Sequence, residues 1–140
     1  MNQKPIIALD VGSNRIGIAI SDTTQNFAFP RDAISRANGI ANIVSFASKE
    51  NVEMILVGMP YLPSGKVGTQ AKITEQFIKD LSEVTSIKIE TVDERMSTQE
   101  AIAKSEELPH LFKRIKRDKG ALDSYSATVI LQYYLDHIKN

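Results

Sequence analysis

The sequence predicts an α/β fold: a mixed five-stranded sheet, three antiparallel strands followed by two parallel additions, with helices on both faces. Two observations carry this reading. The first third of the chain alternates apolar and small or polar residues with the period of strands, and the remainder alternates aliphatic runs with stretches whose apolar residues recur every three or four positions. Strands that alternate with helices add in parallel to a sheet and place those helices on its faces. The 140 residues, 42% of them apolar, suit one domain spanning 1–140 with a core of its own.

Pro5 to Val11 is an aliphatic run that stops at Gly12-Ser13-Asn14. Arg15 to Asp22 follows, with Ile16, Ile18 and Ile20 on one face and the small residues Gly17, Ala19 and Ser21 on the other, where a bulky element can pack closely. These two runs form a hairpin. Phe27 to Ile34 contains Pro30, which cannot donate to an interior ladder, so the third strand belongs at an edge. From Gly39 the period lengthens, and Ile40, Ile43, Val44 and Ala47 make the stripe of a helix that ends near Asn51. Val52 to Met59 reads as a strand buried on both faces and closed by Pro60. Tyr61 to Gly68, with Pro63, Gly65 and Gly68, is a connecting loop. Ile73, Phe77, Leu81 and Val84 mark a second helix, and Ile87 to Val92 is the last strand, delivering Asp93-Glu94-Arg95 at its carboxyl end. Ser97 and Glu100 have the spacing of a capping box and start a third helix, which Pro109 ends. A basic segment follows. Leu122 to Ile138, with Leu122, Val129, Ile130 and Tyr133 along one side, is the final helix.

Composition narrows the chemistry. The chain has no cysteine, which excludes disulfides, cysteine-based zinc sites and thiol catalysis, and points to a reducing, cytoplasmic setting. No apolar run approaches the ~20 residues of a membrane span, and no signal peptide is visible. Basic and acidic residues balance at 17 each, but unevenly along the chain. Lys113, Arg114, Lys116, Arg117 and Lys119 cluster with only Asp118 among them, a local strip of the kind that binds phosphates, or a solvated loop. Neither His110 nor His137 stands in an arrangement that suggests a catalytic triad, and both read as surface residues.

Three acidic positions stand out. Asp10 ends a strand whose two faces are apolar, and an unpaired ion costs several kcal/mol there, so it needs a cation, a set of donors or the open end of the sheet. An Asx turn onto Gly12-Ser13-Asn14 is the plainer role. Asp93 and Glu94 would point to opposite faces of a regular strand, so only one of them could join Asp10. Asp123 lies near the start of the last helix, where the helix dipole favours a carboxylate whatever its task. Should the three converge at the carboxyl edge of one sheet, their oxygen ligands would suit Mg²⁺ or Mn²⁺ and an in-line attack on a phosphodiester.

Taken together the motifs are familiar. Leu9-Asp10-Val11-Gly12-Ser13-Asn14-Arg15-Ile16-Gly17-Ile18-Ala19-Ile20-Ser21-Asp22 resembles the opening of the YqgF family, also called RuvX and named for Holliday junction resolution, whose pattern reads roughly LDxGxKRIGVAVSD. Val57-Gly58-Met59-Pro60 is similar to its VGLP, and Val92-Asp93-Glu94-Arg95-Met96-Ser97-Thr98 to its VDERLST. Asp123 with Ala127, Ile130, Leu131 and Tyr134-Leu135 is similar to its closing DxxAAxxILxxYL. The signatures run in the right order over almost the whole chain.

The resemblance implies an RNase H-like fold, a divalent-metal-dependent nuclease of the RuvC-like group, and maturation of the 5′ end of precursor 16S ribosomal RNA in the bacterial cytoplasm. It implies Asp10, one acid of the Asp93-Glu94 pair and Asp123 as the catalytic, Mg²⁺- or Mn²⁺-binding set, with Glu94 slightly favoured and Asp93 kept beside it. The basic strip from Lys113 to Lys119 would then guide the phosphate backbone, with Arg15 and Arg95 as secondary contacts. Tyr61 is the aromatic best placed to stack on a base, but aromatics are few, which favours reading of shape and backbone.

Asn14, Met59, Met96, the Tyr61–Gly68 loop and Ser124 to Ser126 depart from the usual pattern, and none of these changes removes a carboxylate. Losing the lysine at position 14 bears on phosphate affinity more than on chemistry. The partner expected is precursor ribosomal RNA or branched DNA, with no membrane, bound by a monomer or weak homodimer, since nothing in the apolar pattern forces a dimer. Holliday junction resolution and a non-catalytic RNA-binding module on the same fold are the alternatives. The Asp-x-Gly hairpin is also similar to the phosphate loop of actin-like ATPases, but those close a nucleotide between two such domains and 140 residues provide one.

Overall fold

A computed structural model describes residues 3–107 and 124–139, with the backbone alone for 101–107. The elements run β1 (Ile6–Val11), β2 (Arg15–Ser21), β3 (Ala28–Ser35), α1 (Gly39–Glu50), β4 (Met54–Met59), α2 (Thr69–Ser82), β5 (Lys88–Asp93), α3 (Glu94–Glu107) and α4 (Tyr125–His137). The strands form one five-stranded sheet in the order β3-β2-β1-β4-β5. β1 to β3 pair antiparallel, and β4 and β5 add in parallel, as the periodicity predicts. Pro30 lies on the edge strand β3, opposite Ala19, where its missing N–H is tolerated.

β1 is central, and its alternation divides the core in two. Ile7, Leu9 and Val11 pack with Ile16, Ile18 and Ile20 against Ile43 and Ala47 of α1 and Phe77 and Leu81 of α2. On the other face Ile6, Ala8 and Ala19 join Met54, Leu56 and Val92 under Ala127, Ile130, Leu131 and Leu135 of α4. The small face of β2 is therefore the seat of a helix, and helices cover both sides of the sheet. α1 ends at Asn51, which adopts the left-handed conformation (φ 54°) that asparagine tolerates at a helix end.

Three helix readings need correction. In α2 the buried face is Ala71, Thr74, Phe77 and Leu81, whereas Ile73 is 37% and Val84 58% exposed. Thr74 can enter the core because its hydroxyl donates to the Gln70 carbonyl at 3.0 Å, so a polar residue replaces the expected isoleucine on that face. α3 begins at Glu94, not at a box built on Ser97 and Glu100. Asp93 caps it through Oδ1, which accepts the Arg95 N–H at 2.9 Å, and the buried Ser97 donates to the Glu94 carbonyl. α4 buries Ala127, Ile130, Leu131 and Leu135, with Val129 and Tyr133 only half-buried. Pro109 and Leu122 lie outside the described residues.

Ser124 opens α4 and is fully buried, in a place that explains why a hydroxyl stands there. The β2–β3 register shifts between Ile16 and Ile18, so backbone groups in that gap lose their ladder partners. The Ser124 Oγ accepts the Ile18 N–H at 3.0 Å and donates to the Arg31 carbonyl. One side chain thus ties α4 to the bulge. Ser124→Ala strands a buried donor and acceptor, and urea unfolding is expected to show a loss of about 2–4 kcal/mol. An unchanged midpoint would show that the bulge does not depend on this hydroxyl.

Candidate active site

The site lies at the carboxyl end of β1, β4 and β5. Asp10 continues the row Ile6, Ala8 that faces α4. Ile6 is paired with Met54 and Ala8 with Leu56, so the same register carried two residues further sets Asp10 level with Gly58 on β4, which is itself paired with Val92 on β5. β1 and β5 are two strand spacings apart, roughly 10 Å. Glu94, the first residue after β5, crosses that distance over Gly58. A Cβ on Gly58 would stand 2.7 Å from Glu94 Oε1, 2.9 Å from Glu94 Cγ and 2.4 Å from Ile130 Cδ1. Glycine is needed here to leave room for the glutamate side chain, not for a special backbone angle.

The two carboxyl groups come within hydrogen-bonding reach of each other. Ionised carboxylates offer acceptors only, so this contact requires a shared proton or a cation between them. Glu94 Oε1 is buried and accepts no hydrogen bond from any described residue. Burial first, then the charge of Asp10 and the contact with it, push the Glu94 pKa up to about 8. Metal-free protein therefore holds a proton here at neutral pH.

The sign of the pH dependence follows. The folded-state pKa is raised above the ordinary 4.5, so the stability this proton contributes is complete below about 4.5 and is lost progressively as the pH rises to about 8. In chelator, the melting temperature is expected to fall by several degrees between pH 5.5 and 8.5, and Glu94→Gln is expected to flatten that fall. An equal fall in the variant would place the titrating group elsewhere.

Asp93 does not join the pair. Its carboxylate takes the Arg95 guanidinium through Nε at 3.1 Å and Nη2 at 2.6 Å, which holds it below the usual carboxylate range. The chain turns from strand to helix between Asp93 and Glu94, so the two acids are divided by role and not by the faces of a strand. Arg95 is accordingly engaged with Asp93 and with the Pro63 carbonyl at 3.3 Å. Arg15 is exposed at the start of β2, and its carbonyl accepts the Gly12 N–H at 2.9 Å. Asp123, Lys113, Arg114, Lys116, Arg117, Lys119 and His110 lie outside the described residues.

Two residues that the sequence does not single out brace the turn after Asp10. Arg36 Nη1 donates to the Gly12 carbonyl at 2.9 Å while its guanidinium lies 5.2 Å from the centre of the Phe77 ring. Gln70 Nε2 donates to the Val11 carbonyl at 3.1 Å. They come from the ends of β3 and α2, a meeting that no local motif signals.

A separate group, Glu100 of α3 with Asp136 and His137 of α4, brings three possible ligand atoms within 4.8 Å. Glu100 is six residues into α3, roughly 9 Å along its axis from Glu94. Tyr134, one turn before His137, meets Met54 at the opening of β4 and so marks the opposite end of the sheet. His137 is exposed, as expected, but pairs with Glu100 at 2.5 Å.

Comparison with known proteins agrees with the fold. Residues 4–137 match the family model described as RuvX, Holliday junction resolvase. The chain belongs to this family. A relative from Chloroflexus aurantiacus, named “Putative pre-16S rRNA nuclease”, is 36% identical over 139 residues, covering 97% of this chain and 89% of its own. Relatives of the same name from Chloroflexus aggregans (34% identical, 100% and 99% covered) and a Synechococcus strain (37%, 93% and 87%) also match. Among solved structures, Thermus thermophilus RuvC in complex with a Holliday junction substrate superposes with a TM-score of 0.61 over 95% of this chain and 94% of that one, at 12% identity. The RuvX chain thus has the RNase H-like fold of RuvC and belongs to a family of nucleases. Among the described residues no helix is long and apolar enough to cross a membrane.

Proposed function

We propose that this RuvX chain is a divalent-metal-dependent phosphodiester hydrolase of the cytoplasm that matures the 5′ end of precursor 16S ribosomal RNA, acting as a single domain and as a monomer or weak homodimer. The observation that carries the reading is the Asp10–Glu94 contact over Gly58, with a buried glutamate oxygen that accepts no hydrogen bond from any described residue. Two facing carboxyl groups with an unused oxygen suit a hard cation, and an all-oxygen set favours Mg²⁺ or Mn²⁺. Asp10 and Glu94 would hold it, with Asp123 as a third ligand on the strength of the family motif. When bound, the ion lowers the pKa of water and offsets charge at the phosphate.

The chain's own residues do the rest. Glu94 would have to be ionised to hold the ion, so affinity would rise with pH. Arg36 and Gln70 keep the Asp10 turn in place, and Asp93 with Arg95 fixes the start of α3 so that Glu94 points across the sheet. The exposed Arg15 and the Lys113–Lys119 strip supply phosphate contacts, which give affinity without reading sequence.

The second reading, Holliday junction resolution, is favoured by the family description. It demands two active sites in symmetric register, whereas RNA trimming needs one. Purified protein incubated with precursor 16S RNA and with a four-way DNA junction, in Mn²⁺, Mg²⁺ or chelator, tests both. Metal-dependent trimming of the RNA is expected, and paired symmetric cuts in the junction alone would favour the resolvase. Binding without cleavage of either substrate would leave the chain a nucleic-acid-binding module.

A further inference from the structure

The loop after β4 builds a cavity beside the carboxylates. Its anchor is Arg95, which is fixed on Asp93, donates to the Pro63 carbonyl and lies 5.9 Å from the centre of the Tyr61 ring. Gly65 has a positive φ of 88°, and a Cβ there would stand 3.2 Å from Arg95 Nη1. The loop is therefore folded closely over the guanidinium. Between this loop and the first turn of α3 lies an open cavity of about 530 Å³, lined by the apolar Pro60, Tyr61, Pro63 and Met96 and by four polar residues, Glu94 and Arg95 among them. Its volume is that of a small-molecule or nucleotide pocket.

We propose that this cavity receives one unpaired nucleobase of the substrate, from a nucleotide flanking the phosphate to be cut beside Asp10 and Glu94, stacked against Tyr61 and Met96. The proposal rests on the nuclease reading and adds a specificity element to it. Two features select a base over a phosphate, and a third fixes its place. The lining offers an aromatic ring, two prolines and a methionine that is 48% exposed, all suited to the flat apolar face of a base. The guanidinium in the lining already has its counter-ion in Asp93, which reduces its pull on a further anion. Glu94 belongs to both the cavity and the carboxylate pair, so the occupant is within one nucleotide of the bond to be cut. A base stacked inside a duplex cannot enter. The preferred cut therefore lies in a single-stranded or unstacked stretch beside a structured one.

The test uses the full chain as Asp10→Asn, which binds without cutting, and an RNA hairpin whose single-stranded tail carries 2-aminopurine at one position at a time. At one tail position, binding is expected to quench the fluorescence. Adding Tyr61→Ala is expected to abolish that quench and weaken binding roughly 5- to 100-fold, whereas Tyr61→Phe retains both. Quenching at no position, or quenching and affinity that survive Tyr61→Ala, would overturn the base pocket. Cleavage by the wild-type chain is scored separately. Cleavage without a Tyr61-dependent quench sinks the pocket alone, and the quench without cleavage sinks the nuclease reading while the pocket stands.

Discussion

Asp10→Asn is expected to reduce cleavage about 10³-fold or more, the several kcal/mol that a Lewis-acid ion contributes at a phosphate. Loss of one charged ligand also separates this effect from misfolding. Without metal, the asparagine carries no charge beside Glu94 and its amide can donate to it in place of the shared proton, so the variant is expected to melt at or above the wild-type temperature in chelator, most clearly above pH 8. With ~10 mM Mn²⁺ the wild-type chain gains stability by binding to the folded state alone, and the variant gains little. Thermal melts with and without metal check both halves. A variant that unfolds in chelator would make Asp10 a structural residue of the turn.

Gly58→Ala has the second largest expected effect, and it acts without touching a charge. The new Cβ meets Ile130 Cδ1 at 2.4 Å and Glu94 Oε1 at 2.7 Å, distances that require one of them to move. Ile130 of α4 is held in the core, so the glutamate yields first. Overpacking costs about 1–3 kcal/mol, and a displacement of about an ångström at a catalytic group costs about 10²-fold in rate. A large fall in kcat with a modest fall in stability is expected, read by single-turnover cleavage beside a urea melt. Wild-type kcat in this variant would show that Glu94 need not cross Gly58.

Much of the fold was legible because it depends on periodicity. β1 is apolar on both faces and is central; β3 contains Pro30 and is an edge; the small face of β2 takes a helix. The errors arose where a satisfied polar group stands in for an apolar one. Thr74 enters the core in place of Ile73, and Ser97 packs inside α3 where a cap was expected at its start.

At the site, Asp10 was legible as a charge at the end of a buried strand. The choice between Asp93 and Glu94 was not, because it depends on where β5 stops. That point is set by the Asp93–Arg95 contact, whose two-residue spacing is also found along any strand. Gly58 could be seen only as part of a motif, since its role comes from the register of three strands and a side chain of α4 more than 70 residues away. Arg36 and Gln70 left no local signal for the same reason.

The most direct test of the site is cleavage of precursor 16S RNA in Mn²⁺ by Glu94→Gln and Asp93→Asn side by side. Glu94→Gln is expected to lose about 10³-fold or more, as Asp10→Asn does. Asp93→Asn, which keeps a capping side chain on α3, is expected to retain most of its activity with a small loss of stability. An inactive Asp93→Asn beside an active Glu94→Gln would contradict the account and move the metal centre to the other acid.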